Sequence, residues 1–456
     1  MCPLVRAVGG AAPAIGVTGR VLVVSYFYPP FSGVGSTRVS KMTRYLSDWG
    51  WEPHVLTIDH YDQPATSAIE IPEDRITRAS MAFDVAALPR AIVGRSAVSG
   101  LKTPANGWRA ALLQNASWAY RHLLCFPDAQ IGWWSTAVAA GRRLIERIRP
   151  DVILSSSFPA TSHLVARSLA RHSGLPWVAE LRDLWTANHN LRRIQPLLAI
   201  ERRLERSVLT EASALVTVAE PLADWLRDHF HRPTYVVPNG YDSADYPKDP
   251  KPSRQKFSLV YTGMFYSGRQ YFEPLFEAVA RLAAAGRIQP DRFTMHFVGQ
   301  GLAPLVTRSE RLGIRAFLTA GPPISYSESL RLQCEATALL VLELHTEFGS
   351  GIIPVKLFEY LGAGRPVLSV GLRDSAVART IERTRVGVVA TTADEVEHVL
   401  REWLDEFDRT GTIAYAGDEA AKQVYSRQHA AREMARILGE AVGRPSSPAE
   451  SDRVVQ

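Results

Sequence analysis

Lys356 and Glu359 lie three positions apart in the segment EFGSGIIPVKLFEYLGAGRPVLSV, residues 347–370. Val355, Leu357, Phe358 and Leu361 supply helix-spaced apolar positions around them. The two charges therefore share one helix face about one turn in. Gly349-Ser350-Gly351 just upstream reads as a glycine turn feeding the helix N-terminus. Such a terminus offers free backbone N–H groups and partial positive charge to an anion. A lysine near a phosphate and a carboxylate near a sugar diol would use this geometry. The pattern alone leaves a second reading open, an ordinary α/β turn with a solvent-facing ion pair. Gly362, Ala363 and Gly364 close the helix, and Pro366 prevents its continuation. Val367–Val370 then reads as a short buried strand.

A second group of chemically capable residues lies in the first half. The strand Asp151–Ser155 runs into a polar loop that reaches His163. The strand Pro176–Glu180 delivers Leu181-Arg182-Asp183-Leu184-Trp185. Polar residues at the C-terminal ends of parallel strands are where α/β sheets place their ligands. His163, Arg182 and Asp183 are therefore expected around one crevice. Asp183 is a base or acceptor contact in this reading, and a partner of Arg182 at the strand end in the alternative.

The first strand, Arg20–Ser25, leads into YPPFSGVGSTR. Gly33 and Gly35 permit close backbone approach by a ligand. G-x-G followed by Ser-Thr-Arg is not the G-x-G-x-x-G dinucleotide fingerprint, which argues against a nicotinamide or flavin cofactor. Arg38 is either a cation facing the ligand or a surface residue of the first helical turn. In the second half, the strand Ser258–Gly263 ends in glycine, and Arg269 is the cation of the loop Met264–Gln270. The strand from Phe293 runs into Gly299-Gln300-Gly301, and that from Ala316 into Gly321-Pro322-Pro323.

These residues need two α/β domains to carry them. The 456 residues suffice for two large cores, and 46% apolar with 21% charged residues is a globular composition. A net charge of +6 with acids and bases interspersed does not suggest a nucleic-acid binder. Cys2, Cys125 and Cys334 are scattered, with neither metal-ligand nor disulfide spacing, and point to a reducing compartment. No apolar run is long enough to span a bilayer, and the first residues lack the compact apolar centre of a signal peptide. Trp108, Trp118, Trp133 and Trp134 crowd one region, as core or, if exposed, as a sugar or lipid face. Asn188–Ala212 reads as a mostly helical stretch, with Pro196 marking a kink or a late start. Its Arg192, Arg193, Arg202, Arg203 and Arg206 could meet anionic lipid, while Glu201, Glu205 and Glu211 dilute that charge.

KLFEYLGAGRPVL resembles the nucleotide-sugar-binding segment of the family 4 glycosyltransferases. The likeness extends in order from about residue 20 to 440. It takes in the G-x-G loop, R-D-x-W at 182–185, the P-N-G-Y-D turn at 238–242, the T-G strand end at 262–263, V-G-x-G at 298–301, and K-x-x-E-Y with its closing G-x-P-V. The resemblance implies the GT-B fold: α/β, two Rossmann-like doubly wound domains facing a central cleft. It implies a flexible lead over 1–19, an acceptor domain over 20–245, a linker over 246–256 and a donor domain over 257–420. A C-terminal helix over 421–443 would cross back to the first domain, and 444–456 would be a disordered tail. It further implies a retaining, metal-independent transfer from a nucleotide-diphosphate sugar, UDP first, to a glycan, lipid-linked or small-molecule acceptor. No cofactor is required. Glu359 would bind the ribose, with Gly263, Gly299 and Gly321 beside the nucleotide. Arg269, Lys356 and Gly35 would meet the phosphates, and Asp183 and His163 would be catalytic. The family's second acidic residue falls at Gly351; Glu347 lies close by with a different spacing, and both are candidate sugar contacts. Met264 stands where many members have arginine. A nucleotide-sugar epimerase and a non-catalytic nucleotide-sugar-binding subunit are the alternatives. The expected setting is cytoplasmic, with peripheral contact at the inner membrane face.

Overall fold

In the computed structural model the described residues are 19–31, 33–60, 67–83, 125–188, 193–344, 351 and 353–444. They fall into two compact units, one of residues up to Pro238 with those from Ala431 onward, the other Asn239–Ala430.

In the first unit the strands are β1 (Gly19–Ser25), β2 (Trp51–Ile58), β3 (Ile76–Ala79), β4 (Val152–Ser157), β5 (Trp177–Leu181), β6 (Ala214–Thr217) and β7 (Thr234–Val236). They form one sheet in the order β3-β2-β1-β4-β5-β6-β7, and every pairing is parallel. Parallel strands covered on both faces read as continuous apolar runs. Accordingly, β4 is buried at every position and β1 at all but Arg20. The helices are α1 (Val34–Leu46), α2 (Trp134–Ile148), α3 (Thr161–Ser173), α4 (Gln195–Leu209) and α5 (Glu220–Phe230). Pro196 stands in the first turn of α4, so it marks the late start of that helix and not a kink. Leu22, Val24, Leu56, Ile153, Trp133 and Trp177 belong to one core. Trp133 is fully buried while its neighbour Trp134 is 41% exposed. Trp108 and Trp118 lie outside the described residues.

The second unit repeats the plan. Its strands are β8 (Phe257–Thr262), β9 (Phe293–Val298), β10 (Leu318–Gly321), β11 (Ala338–Leu342), β12 (Val367–Val370) and β13 (Gly387–Ala390). They pair in parallel in the order β10-β9-β8-β11-β12-β13. Counted from the first strand of each unit, both sheets run 3-2-1-4-5-6, with β7 added as a seventh strand in the first, so the strand order reverses beside β1 and beside β8. Such reversal points leave an open crevice at the C-terminal strand ends. The helices are α6 (Glu273–Ala284), α7 (Ala303–Arg311), α8 (Tyr326–Glu335), α9 (Val355–Ala363), α10 (Ala376–Thr384), α11 (Ala393–Thr410) and α12 (Glu419–Gln423). α9 ends on Gly364, whose φ of 65° is the left-handed cap that glycine accepts without strain. The final helix, α13 (Arg427–Ala441), starts in the second unit, and its residues from Ala431 belong to the first. There Trp51 Nε1 donates to the Ala435 carbonyl at 3.2 Å and the Tyr235 hydroxyl to Glu440 at 2.8 Å. Among the described residues no helix is long and apolar enough to cross a membrane.

Candidate functional site

In the second unit, the end of β8 gathers most of the expected nucleotide-binding residues. Gly263 continues β8 with φ +109° and donates its N–H to the Val298 carbonyl at 2.9 Å. Gly299 lies against it so closely that a Cβ would stand 1.9 Å from the Gly263 carbonyl oxygen. The Gly299 N–H in turn donates to the Gly321 carbonyl at 3.1 Å. All three glycines thus line adjoining strand ends, and no side chain fits at Gly299.

Lys356, on the first turn of α9, brings its ammonium to this edge. Nζ lies 3.4 Å from the centroid of the Tyr261 ring and would be 3.5 Å from a Cβ on Gly263. It is buried and, among the described residues, makes no hydrogen bond. Burial pushes the Lys356 ammonium down to about 7, with the Glu359 carboxylate pulling the other way. Burial likewise raises Glu359, against the opposing effects of the Gln333 hydrogen bond, Lys356 and Arg427. Burial therefore pushes both members of the pair toward their neutral forms.

Three further side chains support this edge, and of these only Tyr360 stands in a motif the sequence displays. Gln333 on α8 is fully buried, and its Nε2 donates to Glu359 Oε2 at 2.8 Å. The Tyr360 hydroxyl accepts the Thr262 N–H at 3.1 Å and so fixes the last residue of β8. Gln270 ties the following loop down: Nε2 donates to the Leu342 carbonyl at 2.9 Å, and Oε1 accepts the Tyr266 N–H at 2.9 Å. Arg269, next to Gln270, is exposed on a turn whose N–H bonds the Tyr266 carbonyl at 3.1 Å. Met264 and Tyr266 on the same loop are 46% and 44% exposed. Glu343, just past β11, is a further buried carboxylate; Ser369 Oγ donates to it at 3.1 Å. Glu347 lies outside the described residues, and Gly351 is half-buried on the approach to α9.

The first unit places its candidates around the ends of β4 and β5. The Arg182 guanidinium donates to the carbonyls of Ser157 and, at 3.0 Å, Phe158. It packs on the bare Cα of Gly35, where a Cβ would stand 2.0 Å from Nη1. Asp183 is exposed beside it. Gly35, Arg182 and Asp183 are thus brought together, but His163 is not among them. Its ring is fully buried, with Nδ1 2.8 Å from Ser155 Oγ, which also accepts the Trp177 indole N–H at 2.7 Å. Burial drives its pKa down to about 3, so the ring is neutral at ordinary pH. Arg38 also departs from both expectations: it is neither a ligand-facing cation nor a surface residue. It is 1% exposed and ion-paired to Glu180 at 2.8 Å.

The R-D-x-W segment is held from α4. Trp185 Nε1 donates to Glu201 at 2.9 Å, the Thr186 hydroxyl bonds Glu205, and Arg193 pairs with Glu201. Glu201 and Glu205 are 0% and 2% exposed, and burial lifts Glu205 to about 7. These two glutamates do not dilute the basic face of α4. They point inward one helical turn apart, and Arg202, Arg203 and Arg206 remain on the outer side.

Two family models match the chain, a glycosyl transferase 4-like domain over residues 33–240 and a glycosyl transferase-like domain over 269–436. No curated protein matches it. Among solved structures, the chain is similar to sucrose-phosphate synthase from Thermosynechococcus elongatus, with 12% identity and a TM-score of 0.58 over 93% of this chain and 99% of that one. It is also similar to HepE of Anabaena in complex with UDP and glucose, with 14% identity and a TM-score of 0.56 over 92% and 100%. A UDP-N-acetylglucosamine 2-epimerase follows at 13% identity and a TM-score of 0.50 over 95% and 100%. At such identities these likenesses establish the shared fold. With one glycosyltransferase model on each half and two parallel sheets of the matching architecture, the chain belongs to the family 4-like glycosyltransferases of the GT-B fold.

Proposed function

We propose that this glycosyltransferase draws its sugar from a nucleotide-diphosphate sugar, with UDP as the nucleotide. It passes the sugar, with retention of configuration, to a glycan, lipid-linked or small-molecule acceptor. The observation that carries the donor half is the edge of β8, where a buried, unbonded Lys356 ammonium and a Gln333-held Glu359 carboxylate flank bare glycine backbone. Lys356 there meets diphosphate charge, with Arg269 as the second cation. Glu359 accepts the ribose hydroxyls, and Gly263, Gly299 and Gly321 leave room for the nucleotide. Stabilising the departing diphosphate with fixed positive charge is the step these groups assist, without a metal. The choice of UDP is supported by the UDP held in the HepE structure. Asp183, exposed beside Arg182 and Gly35, contacts the acceptor. His163 is left out of this proposal because its ring is enclosed. Glu347 and Gly351 are assigned to the transferred sugar.

The test is calorimetry with UDP, GDP, ADP, dTDP and NAD on the wild type, Arg269→Ala and Glu359→Ala. One nucleoside diphosphate is expected to bind, and Glu359→Ala to weaken it at least about 100-fold, the loss of two hydrogen bonds to a charged group. Equal binding to wild type and Glu359→Ala removes the donor reading. Turnover of the sugar nucleotide with no acceptor present would reassign the chain to the epimerase class.

The same proposal includes a cytoplasmic setting with peripheral contact to an anionic lipid surface through the outer face of α4. Ile200 is 51% exposed there, beside exposed Arg202, Arg203 and Arg206. An apolar residue flanked by cations suits a headgroup zone. Co-sedimentation with anionic vesicles is expected for the wild type and lost when all three arginines become serine. Equal sedimentation with neutral vesicles would sink the contact.

A further inference from the structure

Glu359 has two carboxylate oxygens, and the described residues engage one of them. Oε2 accepts the Gln333 amide at 2.8 Å, whereas among the described residues no donor reaches Oε1. The same Gln333 nitrogen lies 3.0 Å from Thr262 Oγ1 and 3.1 Å from Ser329 Oγ, so three acceptors surround it. Gln333 Oε1 is buried and unbonded. The flipped amide would set an oxygen against a carboxylate and two hydroxyls, so the donor end is the end that faces Glu359. A half-buried carboxylate with one neutral donor on one oxygen is held in one rotamer, with its second oxygen left for a ligand. The contact spans 26 positions, from α8 to α9, and is buried at its α8 end.

We propose that Gln333 is a positioning residue that sets the selectivity of this site for ribonucleotides. By fixing Glu359 Oε2, it aims Oε1 at the vicinal hydroxyls of the nucleotide's ribose. This inference rests on the ribose-binding reading of Glu359. Gln333 itself touches no ligand. Without it, the carboxylate swings free and the hydroxyls lose their oriented acceptor, while contacts to base and phosphates persist.

The experiment compares UDP with 2′,3′-dideoxy-UDP by calorimetry on full-length wild type, Gln333→Met, Gln333→Glu and Glu359→Ala. The wild type is expected to prefer UDP, and Gln333→Met to lower that preference about tenfold with unchanged affinity for the dideoxy nucleotide. Gln333→Glu has the same shape but donates a hydrogen bond only when protonated. Its preference for UDP is therefore expected to return as pH falls, a response that a purely structural role would not produce. Equal weakening of both nucleotides in Gln333→Met, or an unaltered ratio in both Gln333 variants, overturns the proposal and leaves the ribose reading standing. A wild type with no preference, or a preference that survives Glu359→Ala, overturns the ribose reading together with it.

Discussion

Replacing Lys356 with methionine is expected to weaken nucleoside-diphosphate binding by between about 10- and 150-fold, the worth of one hydrogen bond to a charged group. It is also expected to abolish a proton uptake that accompanies binding in the wild type. The reason lies in the burial of the ammonium. The ammonium is buried without a hydrogen bond, and burial lowers its pKa to about 7 from an ordinary 10.5. Above pH 7 the empty protein therefore holds mostly the neutral amine. A diphosphate favours the ammonium, so binding must draw a proton from solvent, and affinity falls as pH rises from 7 toward 10.5. For stability the sign is opposite. A depressed folded-state pKa contributes stability above 10.5 that is lost as pH falls through about 7. The empty protein is thus stabilised by raising pH through this window, while its complex is weakened. Calorimetry at pH 8.5 in two buffers of different ionisation enthalpy reads the uptake directly. An affinity constant between pH 7 and 9, or an uptake that persists in Lys356→Met, would count against a phosphate role for this residue.

The parts of this site that could be read from the chain are those set by local spacing. Lys356 and Glu359 share a helix, so three positions place them on one face whatever the rest of the fold does. Gly263, Gly299 and Gly321 each close a strand, and these glycines meet because Thr262, Val298 and Gly321 stand level at the C-terminal ends of their parallel strands. Pro196 reads as a kink or a late start from the sequence, and its place in the first turn of α4 selects the second. What stayed illegible depends on strand order. Gln333 reaches Glu359 only because β11 separates their helices in sequence but not in space. Glu201 and Glu205 read as diluting the basic charge of their helix, because helical period says which residues share a face and not which face turns inward. Trp185 and Thr186 supply the hydrogen bonds that make an inward glutamate tolerable. His163 followed the rule that polar residues after a parallel strand face the ligand. Ser155 and Trp177 instead give its ring a place inside the core.

Arg38 is the largest departure from sequence expectation, and its replacement should have the largest effect on stability. Its partner Glu180 lies 142 positions away, at the end of β5, and the two side chains are 1% and 3% exposed. Nη1 and Nη2 also donate to the carbonyls of Pro238, at 2.9 Å, and Val237, at 2.7 Å. Burial alone would raise the Glu180 carboxyl, but Arg38, Ser156 and Arg182 outweigh it and hold it low and ionised. Arg38→Met would strand that charge in the core beside unbonded carbonyls. Breaking a buried pair from one side costs about 3–5 kcal/mol, whereas replacing both partners with apolar residues is often near neutral. Urea unfolding of the first unit should therefore show a loss of that size for Arg38→Met and recovery of most of it in the Arg38→Met, Glu180→Met double variant. A single variant within about 1 kcal/mol of wild type would mean that water or a proton reaches Glu180 freely, against the enclosure described above. The consequence extends to the site. Glu180 stands two residues before Arg182, and Ser156 Oγ, which donates to Glu180 at 2.6 Å, stands one residue before the Ser157 carbonyl that Arg182 grips. The pair that stabilises the C-terminal end of β5 is therefore also what sets the backbone from which Arg182 and Asp183 project.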